Sequence, residues 1–300
     1  MHFENKNILV TGGKGMIGRS LIKILEEYKT ANITIADLPE FDLRERKICQ
    51  SLCEGQHIIF HLAGIKGSPL RCLESPASFS VPMIQFNANM IEAAFNAGAE
   101  WFLYTSSIGV YQPANEFFED SVWTTMPSEN DWFAGWAKRI GEMNLLAYAK
   151  QFNWYKYSIA RPANVYGPYD NFGEYSMVIP SLIKKGIEND VLEVWGDGKP
   201  IRDLIYVDDI AHSMIKMVEN EVTDPINLGS GEGVSIKHIA EIVAEYFNID
   251  IKWDISKPSG DMKRIMNTKR AQSYGILPQV GLKEGIIKTI DWYMNNKNVL

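Results

Sequence analysis

Three glycines, Gly12, Gly15 and Gly18, stand at G-x-x-G-x-x-G spacing behind a short apolar run, Ile8 to Val10. Ile17, Leu21, Ile22 and Leu25 then recur at helical spacing. Strand, glycine turn and helix in that order can hold a pyrophosphate. Gly12 allows the tight turn, Gly15 the close approach of the phosphates, and Gly18 the close packing of helix on sheet. The helix N-terminus adds backbone N–H donors. The spacing predicts dinucleotide binding; a glycine-rich surface turn would explain the glycines but not their intervals. Asp37 closes the next apolar stretch, about 20 residues beyond Gly18. A carboxylate there accepts from both ribose hydroxyls of an adenosine and repels a 2′-phosphate, which favours NAD over NADP. Ala63 and Gly64, at the small-residue end of the run His57 to Leu62, let a cofactor approach the backbone. His61 within that run reads as an interior histidine.

These residues need a scaffold. Apolar runs at Ile8–Val10, Ile33–Ala36, His57–Leu62, Trp101–Thr105 and Tyr157–Arg161 read as buried strands. Helical patterns lie between them, near Glu45 to Leu52, Ser75 to Gly98 and Ala134 to Phe152. This alternation predicts an α/β fold with a doubly wound parallel sheet and right-handed crossovers. Beyond Pro162 the rhythm loosens. Helices are predicted over Val178 to Gly186, to Val218 behind capping Asp208 and Asp209, to Phe247 behind capping Ser235, and over Leu282 to Asn295. Strands are predicted at Val191–Trp195, Arg202–Val207 and Ile226–Leu228. The expected division is 1–165 for the dinucleotide domain, with 201–228 returning to it. A smaller C-terminal α/β substrate lobe then comprises 166–200 and 229–300.

The 300-residue chain has 46% hydrophobic and 22% charged residues, the balance of a globular protein. A net charge of −7 argues against non-specific nucleic-acid binding. No apolar run is long enough to span a bilayer, and the polar start, Met1 to Asn7, does not read as a secretory segment. Cys49, Cys53 and Cys72 are an odd number without metal-ligand partners at useful spacing, so they read as reduced structural thiols of a cytoplasmic protein.

Further stretches carry a resemblance over nearly the whole chain. They are Thr105-Ser106-Ser107 with Val110-Tyr111, Lys138 with Gly141-Glu142, and Arg161 through Pro168. Trp195-Gly196-Asp197-Gly198, Arg202-Asp203, Tyr206 through Asp209, and Asn227 through Gly231 complete the series. With the glycine turn they resemble the NAD(P)-dependent nucleotide-sugar epimerases and dehydratases, the extended short-chain dehydrogenases. Gly167 to Phe172 and Val178-Ile179-Pro180 most resemble the GDP-fucose synthase branch. The resemblance implies a Rossmann-type fold, hydride transfer at a sugar carbon, a nicotinamide cofactor, a nucleotide-sugar substrate and a homodimer through two long helices, about Ile84–Asn96 and Ala134–Phe152. It implies that Ser107, or Ser106 on a one-residue gap, hydrogen-bonds the reacting hydroxyl, and that Lys138 holds the nicotinamide ribose. The cofactor site it implies comprises Gly12, Gly15, Met16, Ile17, Gly18, Asp37, Asp42, Leu43, Leu62, Ala63, Gly64, Thr105 and Lys138. Asn164, Val178 and Arg202 fall where the family grips the nucleotide diphosphate and base; an arginine fork suits a diphosphate.

Two departures stand out. The family's catalytic tyrosine lies four residues before the lysine, one helical turn away on the same face. Ala134 occupies that position here. Asp131, Glu129 and Tyr111 are the candidate substitutes, and the sequence does not choose among them. The synthase branch also has an epimerising cysteine and histidine; Ile108 or Gly109, and Met177, stand in their places. Two readings follow: an NAD-dependent nucleotide-sugar enzyme, or a homologue that binds cofactor and sugar nucleotide without redox turnover. Trp123, Trp132, Trp136 and Trp154 read as packing for a core or oligomer interface, with a sugar-stacking platform as the alternative.

Overall fold

The structure is a computed structural model that describes residues 2–65, 74–173, 175–257 and 261–297; Cys72 lies outside them. In chain order the first half comprises β1 (Asn7–Thr11), α1 (Met16–Leu25), β2 (Asn32–Ala36), α2 (Arg46–Cys53), β3 (Ile58–His61), α3 (Pro76–Asn96), β4 (Trp101–Thr105), α4 (Trp132–Phe152) and β5 (Tyr157–Pro162). The second half comprises β6 (Asn164–Tyr166), α5 (Val178–Glu188), β7 (Val191–Trp195), β8 (Ile201–Tyr206), α6 (Val207–Glu219), β9 (Pro225–Leu228), β10 (Gly233–Ser235), α7 (Ile236–Phe247), β11 (Asp250–Asp254), β12 (Lys263–Arg264), α8 (Lys269–Ser273) and α9 (Leu282–Asn296).

Six strands form a parallel sheet in the order β2-β1-β3-β4-β5-β9. Helices cover both faces, so its inner strands are continuous apolar runs rather than alternating ones. Ile8 to Val10, Ile58 to Phe60 and Phe102 to Tyr104 are fully buried. Leu21, Leu25, Ile210 and Met214 pack on one face through α1 and α6, and Leu52, Met90 and Leu145 on the other through α2, α3 and α4. The strand order reverses beside β1, where the crevice beyond the carboxyl ends of β1 and β3 opens.

A smaller sheet centres on β8, which pairs antiparallel with β10 and parallel with β12 and β6. β11 and β7 form a separate parallel pair. Leu182, Ile183, Ile239, Val243, Ile286 and Ile290 join α5, α7 and α9 in a third core.

Two expectations change here. Of the segment 201–228, α6 packs on the large sheet and β9 joins it, but Ile201–Tyr206 belongs to the smaller sheet, because β10 and β12 take its edges. Asp208 and Asp209 do not cap α6. Tyr206 holds the N-cap position and both carboxylates lie in the first turn, where they complement the helix dipole. Asp208 accepts from Ser20 Oγ at 2.6 Å, and Asp209 from the backbone N–H groups of Gln279 and Val280. Ser235 does cap α7, accepting from His238 N at 3.1 Å.

Candidate active site

β1 runs into Gly12, whose φ of +71° is a conformation that side chains resist. A Cβ there would lie 2.8 Å from Ala63 N, and one on Gly18 would lie 2.4 Å from Gly12 O. The turn and the helix behind it therefore close only around glycine. Gly15 caps α1 without a side-chain hydrogen bond, so the first N–H groups of the helix, beginning at Met16 and Ile17, are left for a ligand. Asp37 stands just past β2 and accepts from Lys14 N at 2.6 Å, which brings its carboxylate to the glycine turn. Asp42 is paired with Arg44, whose hydrogen bonds hold its carboxyl below the usual range. Leu43 is buried, and its carbonyl accepts from Cys49 Sγ and Asn89 Nδ2.

Leu62, Ala63 and Gly64 leave β3 toward the same crevice. Thr11 Oγ1 lies 2.8 Å from His61 Nδ1 and accepts from Ala63 N. His61 Nε2 meets Asn87 Oδ1 at 3.0 Å. Burial, with the Lys138 charge nearby, pushes this imidazole down to about 3, so it stays neutral and interior. At the end of β4 the Thr105 carbonyl accepts from Lys138 Nζ at 2.7 Å, while Thr105 Oγ1 is buried with no hydrogen-bond partner among the described residues. Burial lowers the Lys138 ammonium to about 8, against the opposing pull of Glu142. A Gly64 Cβ would sit 3.7 Å from that ammonium. A glycine cradle, an unpartnered hydroxyl and an enclosed ammonium at one sheet edge fit a nicotinamide dinucleotide.

The two serines after Thr105 part company. Ser106 donates to Glu142 Oε1 at 2.5 Å and is buried, so the alternative to Ser107 is spent on the interior. Glu142 is bidentate with Arg161, at 2.9 and 2.7 Å, and both side chains are fully buried. Arg161 also donates to Tyr111 Oη and Glu119 O, and Tyr111 donates to Asn227 Oδ1 at 2.5 Å. Burial drives the Tyr111 phenol well up. Ser107 Oγ accepts from Gly109 N at 3.1 Å and, among the described residues, donates to nothing.

α4 brings Ala134 and Lys138 to one face, as their spacing predicts. Ala134 is half-buried against the apolar layer of α2 and α3, and Phe133 is exposed. No hydroxyl occupies the position one turn before Lys138. Asp131 holds the N-cap position of α4. Its Oδ2 lies 2.6 Å from Arg264 Nη1. Asp261 accepts from Ser128 Oγ at 3.2 Å and from Asn130 Nδ2 at 2.7 Å, which ties the same turn to the second half of the chain.

Arg202 faces Arg264 in register across β8 and β12, and donates to Asp261 O at 2.6 Å. Burial and the neighbouring Arg264 charge lower its guanidinium pKa. Asn164 lies on the adjoining β6 and donates to Asp203 O at 2.8 Å. Val178 opens α5 and packs against the third core. The structure therefore brings together Thr105, Lys138 and the glycine turn on one side and Arg202 and Arg264 on the other. Asn164 and Val178 take packing and strand-bonding roles. Arg264 and Asp261 are residues that sequence reasoning missed. Of the tryptophans, Trp154 is buried against Phe95 and Tyr148, Trp136 is half-buried, and Trp123 and Trp132 are exposed.

The sequence model of the NAD dependent epimerase/dehydratase family matches residues 8–229. GDP-L-fucose synthase 1 of Arabidopsis thaliana is 31% identical over 99% of this chain and 95% of its own length. GDP-L-fucose synthase of Sinorhizobium fredii is 32% identical over 98% of this chain and 97% of its own. Among solved structures, a GDP-L-fucose synthetase of Naegleria fowleri bound to NADP superposes with a TM-score of 0.89 at 23% identity, covering 99% of this chain and 96% of that one.

Proposed function

The chain belongs to the NAD dependent epimerase/dehydratase family, and from that premise we propose that it moves a hydride between a sugar carbon of a GDP-sugar and a nicotinamide dinucleotide. One observation carries the reading. Lys138 meets the Thr105 carbonyl, Gly109 lies against both Ser107 and Asp131, and Asp131 meets Arg264 opposite Arg202, so groups from four distant segments adjoin in turn, with the Ser107 and Thr105 hydroxyls unspent among the described residues. The guanine base is argued from relatives of nearly equal length named for GDP-L-fucose synthesis.

In this reading the residues 1–165 with the returning 207–228 hold the cofactor, and the remainder holds the sugar nucleotide. A bound nicotinamide ring supplies the hydride acceptor or donor. The helix N-terminus at Met16 and Ile17 binds the pyrophosphate, and Lys138 with Thr105 holds the nicotinamide ribose. Asp37 accepts from the adenosine ribose and repels a 2′-phosphate, which argues for NAD even though the Naegleria protein holds NADP. Ser107 donates to the sugar oxygen at the reacting carbon. Arg202, with a fork that can bond two oxygens at once, grips the diphosphate. The epimerising step of the synthase branch is not part of the reading, since Gly109 and Met177 carry no acid or base. A homodimer through α3 and α4 and a reducing cytoplasm, consistent with the buried free thiols of Cys49 and Cys53, complete it.

Ala134 specifically favours a second reading, a protein that binds both ligands and does not turn over. Mass spectrometry of ligands released from the purified protein, followed by absorbance of the reduced cofactor with a panel of nucleotide sugars, separates the two. A nucleotide sugar that binds and is oxidised or reduced is expected; binding without any absorbance change supports the second reading. Arg202→Ala should weaken the sugar nucleotide more than the cofactor, and a cofactor titration in which NADP binds as tightly as NAD would remove the Asp37 argument.

A further inference from the structure

The face of α4 that carries Ala134 and Lys138 carries one more polar group. Asp131, Ala134 with Gly135, and Lys138 stand at i, i+3/i+4 and i+7, so they form one stripe. Side chains on a helix lean toward its N-terminus and cover the turn before their own Cα. A phenol on residue 134 would therefore carry its oxygen back over Asp131. A carboxylate one turn earlier, on a shorter stem, reaches the same place.

Gly109 fixes where that place is. A Cβ built on it would lie 3.5 Å from Asp131 Cγ and 3.5 Å from Ser107 Oγ, so the two groups stand no more than twice that distance apart across an empty point. Asp131 Oδ2 is in ionic contact with Arg264 but makes no directed hydrogen bond, so it retains capacity to accept one. The other two candidate substitutes fall away on the same geometry. Tyr111 is buried and bonded to Asn227 and Arg161, and Glu129 is solvent-exposed.

We propose that the Asp131 carboxylate is the proton acceptor that stands in for the missing tyrosine, held in place by Arg264. The proposal rests on the hydride-transfer reading above. In the oxidative direction a sugar hydroxyl lies between Ser107 and Asp131. Its O–H bond breaks and the proton passes to the carboxylate. The C–H bond breaks and the hydride, with both electrons, passes to the oxidised nicotinamide. The carbonyl forms, and Asp131 then releases the proton to solvent. A carboxylate is a weaker base than a phenolate, so proton transfer follows a well-advanced hydride departure, when the hydroxyl has become strongly acidic.

The test measures single-turnover hydride transfer with the nucleotide sugar that the wild type uses, together with calorimetric affinities for that sugar and for the cofactor. Asp131→Asn keeps the size of the side chain and removes its charge, and α4 loses no cap hydrogen bond, since the Asp131 side chain makes none. It should slow transfer by about 10²- to 10⁴-fold with both affinities within a few-fold of wild type. Adding Ala134→Tyr to Asp131→Asn should recover at least about tenfold of the rate, since a phenol beside Lys138 replaces the acceptor; a merely structural Asp131 would not be rescued this way. Gly109→Ala places a methyl at ordinary contact distance between the two groups and tests the geometry while leaving the Asp131 carboxylate in place; it should slow transfer at least about tenfold. A folded Asp131→Asn or Gly109→Ala variant at the wild-type rate overturns the proposal, as does a loss of rate matched by a loss of sugar affinity. A wild type that binds the sugar nucleotide and never moves a hydride overturns the hydride-transfer reading itself, and this proposal with it.

Discussion

Two polar regions meet α4 about three turns apart, at Asp131 and at Glu142, and they are bonded very differently. Beneath the sheet edge, Glu142, Arg161, Tyr111, Asn227 and Ser106 spend their side-chain bonds on one another and on backbone. Above it, Ser107, Asp131 and Thr105 keep donors or acceptors unspent. An unmade hydrogen bond on a buried group costs about 1–3 kcal/mol, so a fold retains such groups where something else completes them. The closed network holds the fold, and in the proposed reading the open groups are completed by a ligand.

The sharpest way to break that contrast is to remove one member of the closed network. Glu142→Gln leaves the Arg161 charge buried and unpaired and should cost about 3–5 kcal/mol of stability. A lower urea midpoint at unchanged slope is expected. Asp131→Asn should cost less by the same measure, because the amide oxygen still faces Arg264 and Asp261 Oδ2, 3.9 Å from the same guanidinium, keeps that charge paired. Equal losses in the two variants would erase the distinction.

His61 belongs to the closed class and reads out in acid. Its folded pKa of about 3 lies below the unfolded value, so the unfolded chain takes up the proton first. Stability is complete above about pH 6.5 and falls, by on the order of 5 kcal/mol, as pH drops toward 3. His61→Asn should flatten that limb of a pH series of urea melts. Lys138 has the same sign at the other end. Lowered to about 8, it is deprotonated in the fold before it is in the unfolded chain. Stability should therefore rise between about pH 8 and 10.5, by on the order of 3 kcal/mol, and Lys138→Met should abolish the rise.

The smallest effect sharpens the open class. Thr105→Val deletes a buried hydroxyl that has no partner. It should leave the free protein unchanged or up to about 1 kcal/mol more stable while weakening cofactor about fivefold, roughly one hydrogen bond. Thermal melts with and without cofactor check it; a destabilised free protein would mean that the hydroxyl is already satisfied.

Much of the fold was legible because its signals are local. The run Ile8 to Val10, the three glycine intervals and the helical spacing of Ile17, Leu21, Ile22 and Leu25 each lie within a few residues. So does the distance from Ala134 to Lys138. What escaped depends on remote partners. β12 is a two-residue strand with no period to detect, and it delivers Arg264 to a carboxylate on another segment. Ser106 and Ser107, adjacent in extended chain, must face opposite ways. Glu142, 36 residues downstream, decides which of them turns inward. Asp208 and Asp209 look like caps from their spacing, and their roles are set by Ser20 and by the 279–280 backbone.

The clasp between Ser128–Asp131 and Asp261–Arg264 joins residues 133 positions apart. A polypeptide leaving the ribosome thus exposes its glycine turn, Thr105 and Lys138 long before Arg264 has been synthesised. Closing so wide a loop is slow relative to the local pairing of neighbouring strands. The growing chain acquires a cradle for the dinucleotide first and a seated Asp131 last. A chain cut short before Arg264 would keep the glycine turn and Lys138 in its sequence and lack the arginine that seats the carboxylate.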